Sequence, residues 1–226
     1  MKVVAAWSGG KDSCFAYYKA VAQGLAVVSL LTFMENEHKS NFHGIQADLL
    51  DAQAKSLNIS LTKRVTQKET YESNFKNALR EFKANGVRGL VTGDIYEVAG
   101  HEERWLERVC KEVGLEPIRP LWQGNTKQIF QGFVAAGFKA TVVRTRLDVL
   151  DERWLGRELD ASFLKDILKL PNVDPCGEGG EYHTVVTDGP VFHDHIELVE
   201  TKKSTSGNYG KLEIERFKVE PKKLRK

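Results

Sequence analysis

The chain has 226 residues, of which 41% are hydrophobic, so it can bury the core of one large domain or of a large and a small one. Its 33 Lys and Arg residues nearly balance its 31 Asp and Glu residues, which leaves a net charge of +2. A dedicated polyanion binder carries a strongly basic face. The charge balance therefore argues against that class, and we expect no stable nucleic-acid partner.

Cysteine usage and apolar runs bear on the compartment. Three cysteines lie far apart with no paired spacing, which suggests neither a disulfide framework nor a zinc knuckle and suits a reducing compartment. Met1 leads directly into an apolar strand without the basic and long apolar regions of a secretory leader. No apolar run approaches the roughly 18 residues that a membrane-spanning helix needs. We expect a cytoplasmic protein without membrane contact; the sequence leaves open whether it forms a homo-oligomer.

The first part of the chain alternates predicted strands with predicted helices. The strands are expected at 3–7, 25–33, 60–65, 88–92, 116–118 and 138–145. The helices are expected after residue 10 and at 42–57, 71–84, 102–113 and 126–136. Such alternation predicts an α/β fold with a doubly wound parallel sheet, whose ligand lies at the carboxyl ends of the strands. We expect residues 1–145 to form a nucleotide-binding domain.

The pattern changes beyond residue 146. A short helix is expected at 161–168, followed by a segment rich in Gly and Pro at 171–181. Extended runs follow at 182–187 and 191–199, and a hairpin-like return at 212–219 precedes a basic tail. We expect residues 146–226 to form a smaller α+β lobe that binds the substrate.

A hexapeptide between the first strand and the first helix predicts phosphate binding. It consists of Ser8, Gly9, Gly10, Lys11, Asp12 and Ser13. The two glycines allow positive φ, so backbone amides can turn toward an anion, and the helix adds the positive end of its dipole. The serines add hydroxyl donors and the lysine a mobile cation. A tight turn with an ordinary helix cap is the simpler interpretation, but such a cap does not need all of these residues.

Asp12 is the unusual member of the hexapeptide. A carboxylate that faces phosphates repels them unless a divalent cation lies between, so we expect Mg²⁺ with Asp12 as a ligand. The chain contains no G-x-x-x-x-G-K-[ST] motif and therefore no Walker-A loop. The hexapeptide resembles the PP-loop of the N-type ATP pyrophosphatases, S-G-G-x-D-S. The resemblance implies an adenine nucleotide alpha hydrolase-like fold that binds ATP and cleaves it to AMP and pyrophosphate.

Two further segments are candidates for the same site. Thr-Gly-Asp-Ile-Tyr at 92–96 ends the fourth predicted strand, so we expect Gly93 and Asp94 to contact the nucleotide; a simple Gly-Asp turn explains the same letters. The second segment carries two carboxylates separated by two glycines, for which a surface hairpin is the alternative. Its expected substrate-binding residues are Glu178, Gly179, Gly180, Glu181, Tyr182 and His183.

The three motifs together resemble the diphthine–ammonia ligase family, which carries S-G-G-K-D-S, G-D-I and E-G-G-E. His43 falls where that family has a His-bearing segment, and the resemblance covers roughly residues 1–195. It implies that the carboxylate of diphthine on translation elongation factor 2 is adenylated by ATP and then amidated by ammonium. The expected catalytic residues are Lys11, Asp12, Glu178 and Glu181.

The roles of the two glutamates stay open at this stage. Glu178 and Glu181 would hold the quaternary ammonium of diphthine, with Tyr182 adding a cation–π face. Alternatively, one glutamate would take a proton from ammonium. The chain has no room for a glutaminase domain, which favours free ammonia over glutamine, although an external glutaminase would serve as well.

Two other functions compete with this interpretation. PP-loop proteins also modify transfer RNA, but thiolation usually needs paired reactive cysteines, which this sequence lacks. A non-catalytic ATP-binding sensor would keep the hexapeptide yet release no pyrophosphate.

Overall fold

The computed structural model describes residues 1–40, 44–97 and 104–222. The chain separates into two compact units. The first comprises residues 1–8, 12–54 and 59–123, and the second comprises residues 9–11, 55–58 and 124 onward. Among the described residues, no helix is both long enough and apolar enough to span a bilayer.

A five-stranded parallel sheet forms the centre of the first unit. Its strands are β1 (Lys2–Ala6), β2 (Ala26–Met34), β3 (Ser60–Val65), β4 (Gly89–Val91) and β5 (Glu116–Ile118). The helices between them are α1 (Lys11–Ala22), α2 (Ala47–Ser56), α3 (Tyr71–Ala84) and α4 (Trp105–Val113). The strand order is β3-β2-β1-β4-β5, and every neighbouring pair is parallel. The predicted α/β class is confirmed.

The order of the strands fixes where a ligand can bind. From β1 the chain builds β2 and β3 on one side, and then β4 and β5 on the other. β1 and β4 are parallel neighbours, so their carboxyl ends lie at the same edge of the sheet. This edge is the topological switch point, the usual ligand position in such sheets. The hexapeptide follows β1 there, and Gly93 follows β4.

Helices α3 and α4 cover the sheet with a continuous apolar cluster. Phe75, Leu79, Val109 and Cys110 are each at most 4% exposed and pack with buried residues of β1, β2 and β4. The two helices are also joined by Glu72, which accepts hydrogen bonds from Lys76, Trp105 and Arg108. These bonds hold the pKa of Glu72 well below its usual range, chiefly through the Arg108 hydrogen bond.

The second unit is built around an antiparallel sheet. Its elements are α5 (Thr126–Ala135), β6 (Lys139–Arg146), α6 (Ala161–Ile167), β7 (Tyr182–Asp188), β8 (Asp194–Ser206) and β9 (Tyr209–Pro221). The strand order is β7-β6-β9-β8. Phe163 of α6 stacks on Phe130 of α5 with 5.7 Å between the ring centroids, and both rings are fully buried. The expected α+β character of this part is present.

One strand was assigned to the wrong sheet from the sequence. The segment at 138–145 was expected to close the parallel series, but β6 pairs antiparallel with β7 and with β9. β6 is an inner strand there, so its backbone groups find partners on both sides. Its apolar and β-branched residues predict a strand but carry no information about its partners. The division between the units accordingly falls after Gln123, ahead of residue 145.

Candidate active site

The hexapeptide forms a closed turn at the start of α1. Gly9 adopts a φ of 79°, the left-handed conformation that glycine tolerates. The Ser8 amide donates to Oγ of Ser13 over 3.3 Å, and the two serine hydroxyls lie 3.1 Å apart. The serines therefore brace the turn across the first residues of the helix.

Strand β7 holds the middle of the hexapeptide within the second unit. The Lys11 amide donates to Oγ1 of Thr184 over 3.1 Å, so Thr184 caps the first residue of α1. The Val186 amide donates to the carbonyl of Gly9 over 3.0 Å. One of the loop amides expected to face an anion thus donates to a hydroxyl of the protein. The loop residues are placed by a strand about 175 positions later in the chain.

Tyr182 supports the lysine of the loop. Its ring is 1% exposed, and its hydroxyl donates to the carbonyl of Pro175 over 2.6 Å. Nζ of Lys11 lies 5.3 Å from the ring centroid, and Lys11 itself is only 6% exposed. The aromatic face offsets part of the cost of burying an ammonium. The cation over this ring is therefore Lys11 and not a substrate group.

The end of β4 packs directly on the start of α1. A Cβ atom added to Gly93 would lie 2.6 Å from the Ser13 nitrogen and 2.6 Å from the Asp12 carbonyl carbon. Main-chain atoms cannot yield as a flexible side chain can, so only glycine fits. The expected proximity of Gly93 to the hexapeptide is present in the first unit.

Asp94 follows Gly93 at the same edge. Burial raises the pKa of its carboxyl group, and the negative charges of Glu97 and Asp12 raise it further, against the opposing influence of Thr92 and Arg119. Asp12 and Asp94 thus repel each other, which a cation would relieve. Among the described residues, no three His, Cys, Asp or Glu side chains gather as a metal site. Two carboxylates suit Mg²⁺, which takes its other ligands from water and phosphate.

Asp174 organises the segment that carries the E-G-G-E motif. Its Oδ1 accepts from the amides of Cys176, over 2.7 Å, and Glu178, over 3.5 Å, while its Oδ2 accepts from Oγ1 of Thr126 over 2.8 Å. Its own amide donates to Oε1 of Glu181 over 3.0 Å. An Asp at the start of a turn commonly bonds to amides that follow it. This one fixes both glutamates of the motif.

The two glutamates occupy different environments. Glu178 is exposed, whereas Glu181 is 3% exposed. A Cβ atom on Gly179 would lie 2.6 Å from Oε1 of Glu181, so the glycine makes room for this carboxylate. Oε2 of Glu181 is buried and has no hydrogen-bond partner within the described part of the chain. An orphaned buried acceptor costs about 1–3 kcal/mol, so it indicates a ligand, a water molecule or a proton at this atom.

His183 lies on the next strand position and faces cations. It pairs across the sheet with Arg144, whose guanidinium group stacks 3.9 Å from the centroid of the Tyr209 ring. Burial is the main cause that lowers the pKa of His183 to about 4, and the charges of Arg144 and Lys11 contribute to the same shift. The imidazole is therefore neutral at pH 7, with one nitrogen that donates and one that accepts a hydrogen bond.

Comparison with known protein families decides the relationship. Residues 1–117 match the sequence model of the diphthamide synthase N-terminal domain, and residues 125–219 match that of the diphthamide synthase C-terminal domain. The chain belongs to the diphthamide synthase family. The membership expected from the three motifs is confirmed.

Several relatives of this diphthamide synthase family member share the same name. Proteins of Bos taurus and Homo sapiens named diphthine–ammonia ligase are 28% identical over 221 residues, which covers 87% of this chain and 82% of theirs. A Schizosaccharomyces pombe protein of the same name is 28% identical over 95% of this chain, which spans only 39% of the yeast protein. The expectation of an enzyme of the ligase class agrees with these names.

One solved structure also aligns with the chain. It is titled as a predicted subunit of tRNA methyltransferase from Methanocaldococcus jannaschii, with 16% sequence identity and a TM-score of 0.47. The alignment covers 84% of this chain and 98% of that one.

The site residues expected from the diphthamide synthase motifs fall into two described groups. The first unit joins Gly93 and Asp94 to the start of α1, and the second joins Lys11 to Tyr182. His43 lies outside the described residues. No role was expected for Thr184 or Asp174 from the sequence. Asp174 had a local signal, the Asp-Pro pair before the glycines; Thr184 had none, because its partner is remote in sequence.

Proposed function

We propose that this chain is an ATP-dependent amide ligase that converts diphthine on translation elongation factor 2 to diphthamide. It uses ATP and ammonium and releases AMP and pyrophosphate. The observation that carries the proposal is the match of both parts of the chain to the two diphthamide synthase domains. The built turn at the hexapeptide and the two dissimilar glutamates of the E-G-G-E motif support the same chemistry.

The hexapeptide holds the outer phosphates of ATP in this proposal. The residues involved are Ser8, Gly9, Gly10, Lys11, Asp12 and Ser13, with Gly93 and Asp94 in the segment that follows β4. The positive end of α1 and the buried Lys11 ammonium stabilise the charge that builds on departing pyrophosphate. Asp12 and Asp94 would hold Mg²⁺, which supplies further positive charge to the phosphates when bound.

The reaction proceeds in two displacements. A carboxylate oxygen of diphthine attacks the α-phosphorus of ATP, the α–β bridging bond breaks, and pyrophosphate leaves with the bonding electrons. Ammonia then attacks the carbonyl carbon of the acyl-adenylate, and AMP leaves as the amide forms. The adenylate is needed because a carboxylate is a poor electrophile. Ammonium must lose a proton before it attacks, so a base is required.

The environments of the glutamates divide their roles. Glu178 is exposed and suits the bulky quaternary ammonium of diphthine, whose methyl groups donate no strong hydrogen bonds. Glu181 offers a buried oxygen to a small N–H donor and suits ammonium, whose proton it would accept. Neutral His183 contributes a hydrogen bond to the bound substrate. Tyr182 keeps Lys11 in place.

The test is a product assay with purified protein, Mg-ATP, ammonium and elongation factor 2 that carries diphthine. We expect AMP, pyrophosphate and amide in equal amounts, and no amide when ammonium or the factor is omitted. ADP as the product would refute the bond cleavage. Pyrophosphate release that depends on transfer RNA and not on the factor would assign the chain to RNA modification. ATP binding without any pyrophosphate would indicate a sensor.

A further inference from the structure

Arg146, the last residue of β6, contacts both ends of the segment 179–181. Its amide donates to the carbonyl of Glu181 over 2.9 Å. Its Nη1 donates to the carbonyl of Gly179 over 2.7 Å. One residue therefore holds the main chain on either side of Gly180, which has a φ of 76° and for which an added Cβ would meet nothing within 4 Å. The path of the loop here depends on hydrogen bonds more than on packing.

A second set of contacts fixes the guanidinium group of Arg146. Its Nε donates to Oδ1 of Asp148 over 3.1 Å, and the same oxygen accepts from Nδ2 of Asn208 over 2.8 Å. Asn208 lies in the turn between β8 and β9, and its carbonyl accepts from the amide of Leu147. Arginine presents Nε and Nη donors at fixed positions in one planar group, whereas lysine has a single donor nitrogen and does not reproduce this geometry.

Stability alone does not account for this arrangement. The Arg146 and Asp148 side chains are 32% and 54% exposed, and ion pairs with such exposure contribute little to folding. The bond to the Gly179 carbonyl has another consequence, because Gly179 lies against the Glu181 carboxylate and follows Glu178 directly. Displacement of this carbonyl would move both glutamates.

We propose that Arg146 is the positioning residue of the E-G-G-E motif, oriented by Asp148 and Asn208, and that it sets the reactive geometry of Glu178 and Glu181. The expected effect of Arg146 on amidation rests on the proposed function, whereas its expected effect on the loop does not. Small misplacements of reacting groups cost up to about 100-fold in rate. Removal of the Arg146 guanidinium group should therefore reduce amidation far more than it reduces stability or ATP affinity.

The experiment compares Arg146→Ala and Arg146→Lys with wild type. Arg153→Ala is the matched control, because Arg153 also pairs with an aspartate two positions away but is 89% exposed. Hydrogen–deuterium exchange of the peptide 174–183 measures the loop without any substrate. We expect faster exchange in Arg146→Ala, an intermediate rate in Arg146→Lys, and the wild-type rate in Arg153→Ala.

Kinetics then measure the consequence for the reaction. We expect Arg146→Ala to lower kcat/KM for the diphthine-bearing factor at least about tenfold, with the Kd for Mg-ATP within about twofold of wild type. Arg146→Lys should recover part of the loss, and Asp148→Asn should lose less than Arg146→Ala. Wild-type exchange in Arg146→Ala, or unchanged amidation despite faster exchange, overturns the inference. A wild-type protein that makes no amide defeats the proposed function instead, and the exchange rates alone then decide whether Arg146 holds the loop.

Discussion

A methyl group on Gly93 would lie 2.6 Å from the main-chain nitrogen of Ser13, so the end of β4 touches the start of α1 without a side chain between them. Gly93→Ala must push the helix and its preceding turn away from the strand. We expect it to weaken Mg-ATP binding at least about tenfold, because the groups proposed to hold the phosphates would shift by a large part of an ångström. Isothermal titration calorimetry measures the Kd.

Gly86→Ala is the control for a general loss of stability. Gly86 has a φ of 85°, and an added Cβ would meet nothing within 4 Å, so the substitution strains the backbone without a clash. It should cost about 1 kcal/mol of folding free energy and leave the Kd for ATP unchanged. Equal ATP affinity in both variants would show that the contact at Gly93 does not shape the nucleotide site.

Thr184 makes a second contact that the hexapeptide depends on, through the amide of Lys11. Thr184→Val keeps the shape of the side chain but removes the acceptor, and we expect a loss of about 1–2 kcal/mol in the free energy of unfolding. Thr184→Ser should recover most of it. Thr187→Val, on the same strand, removes only a long 3.4 Å bond to the Lys139 carbonyl and should cost less. Urea denaturation ranks the three variants, and an equal cost for both valines would contradict the capping role.

The sequence predicted what is local and missed what is not. Helix α3 and strand β3 occupy the expected residues, because apolar periodicity and turn residues lie within the segment itself. Gly9 takes the positive φ expected of it. By contrast, β6 was placed in the wrong sheet, since a strand pattern does not name its partners. Arg146 has no sequence signal beyond that of a basic residue at the end of a strand, because its bond to the Gly179 carbonyl is made only in the folded structure.

The partner of the Tyr182 ring is likewise remote in sequence. Its position beside two glutamates favoured a cation–π role toward the substrate. The fold instead buries the ring and sets Lys11 over it, a residue 171 positions earlier. The residue type predicts a cation–π contact, but only the tertiary structure shows that Lys11 lies over the ring.

The two glutamates should respond differently to the same substitution. Glu178→Gln removes an exposed charge, so we expect a higher KM for the diphthine-bearing factor with kcat less affected. Glu181→Gln removes the proposed proton acceptor at a buried oxygen, so we expect kcat to fall about 100-fold or more, within the usual range for loss of a general base. Both variants should bind Mg-ATP as wild type does. The same kinetic change in both would contradict the division of roles.

His183 links the stability of the fold to pH. Burial is the main cause of its lowered pKa of about 4, against an ordinary value of 6.5, and the charges of Arg144 and Lys11 add to it. Between these two values the unfolded chain binds more protons than the folded one. Stability from the neutral imidazole is therefore fully present above pH 6.5 and is lost as the pH falls toward 4.

The expected loss is on the order of 2–3 kcal/mol across that interval. His183→Gln cannot titrate there, so its free energy of unfolding should fall less steeply than that of wild type when urea denaturation is repeated between pH 7 and pH 4. His38→Gln, at an exposed position, is the matched control and should follow the wild-type curve. A wild-type curve that runs parallel to that of His183→Gln would mean that folding does not lower the pKa of His183, and the burial of a neutral imidazole at this position would then be wrong.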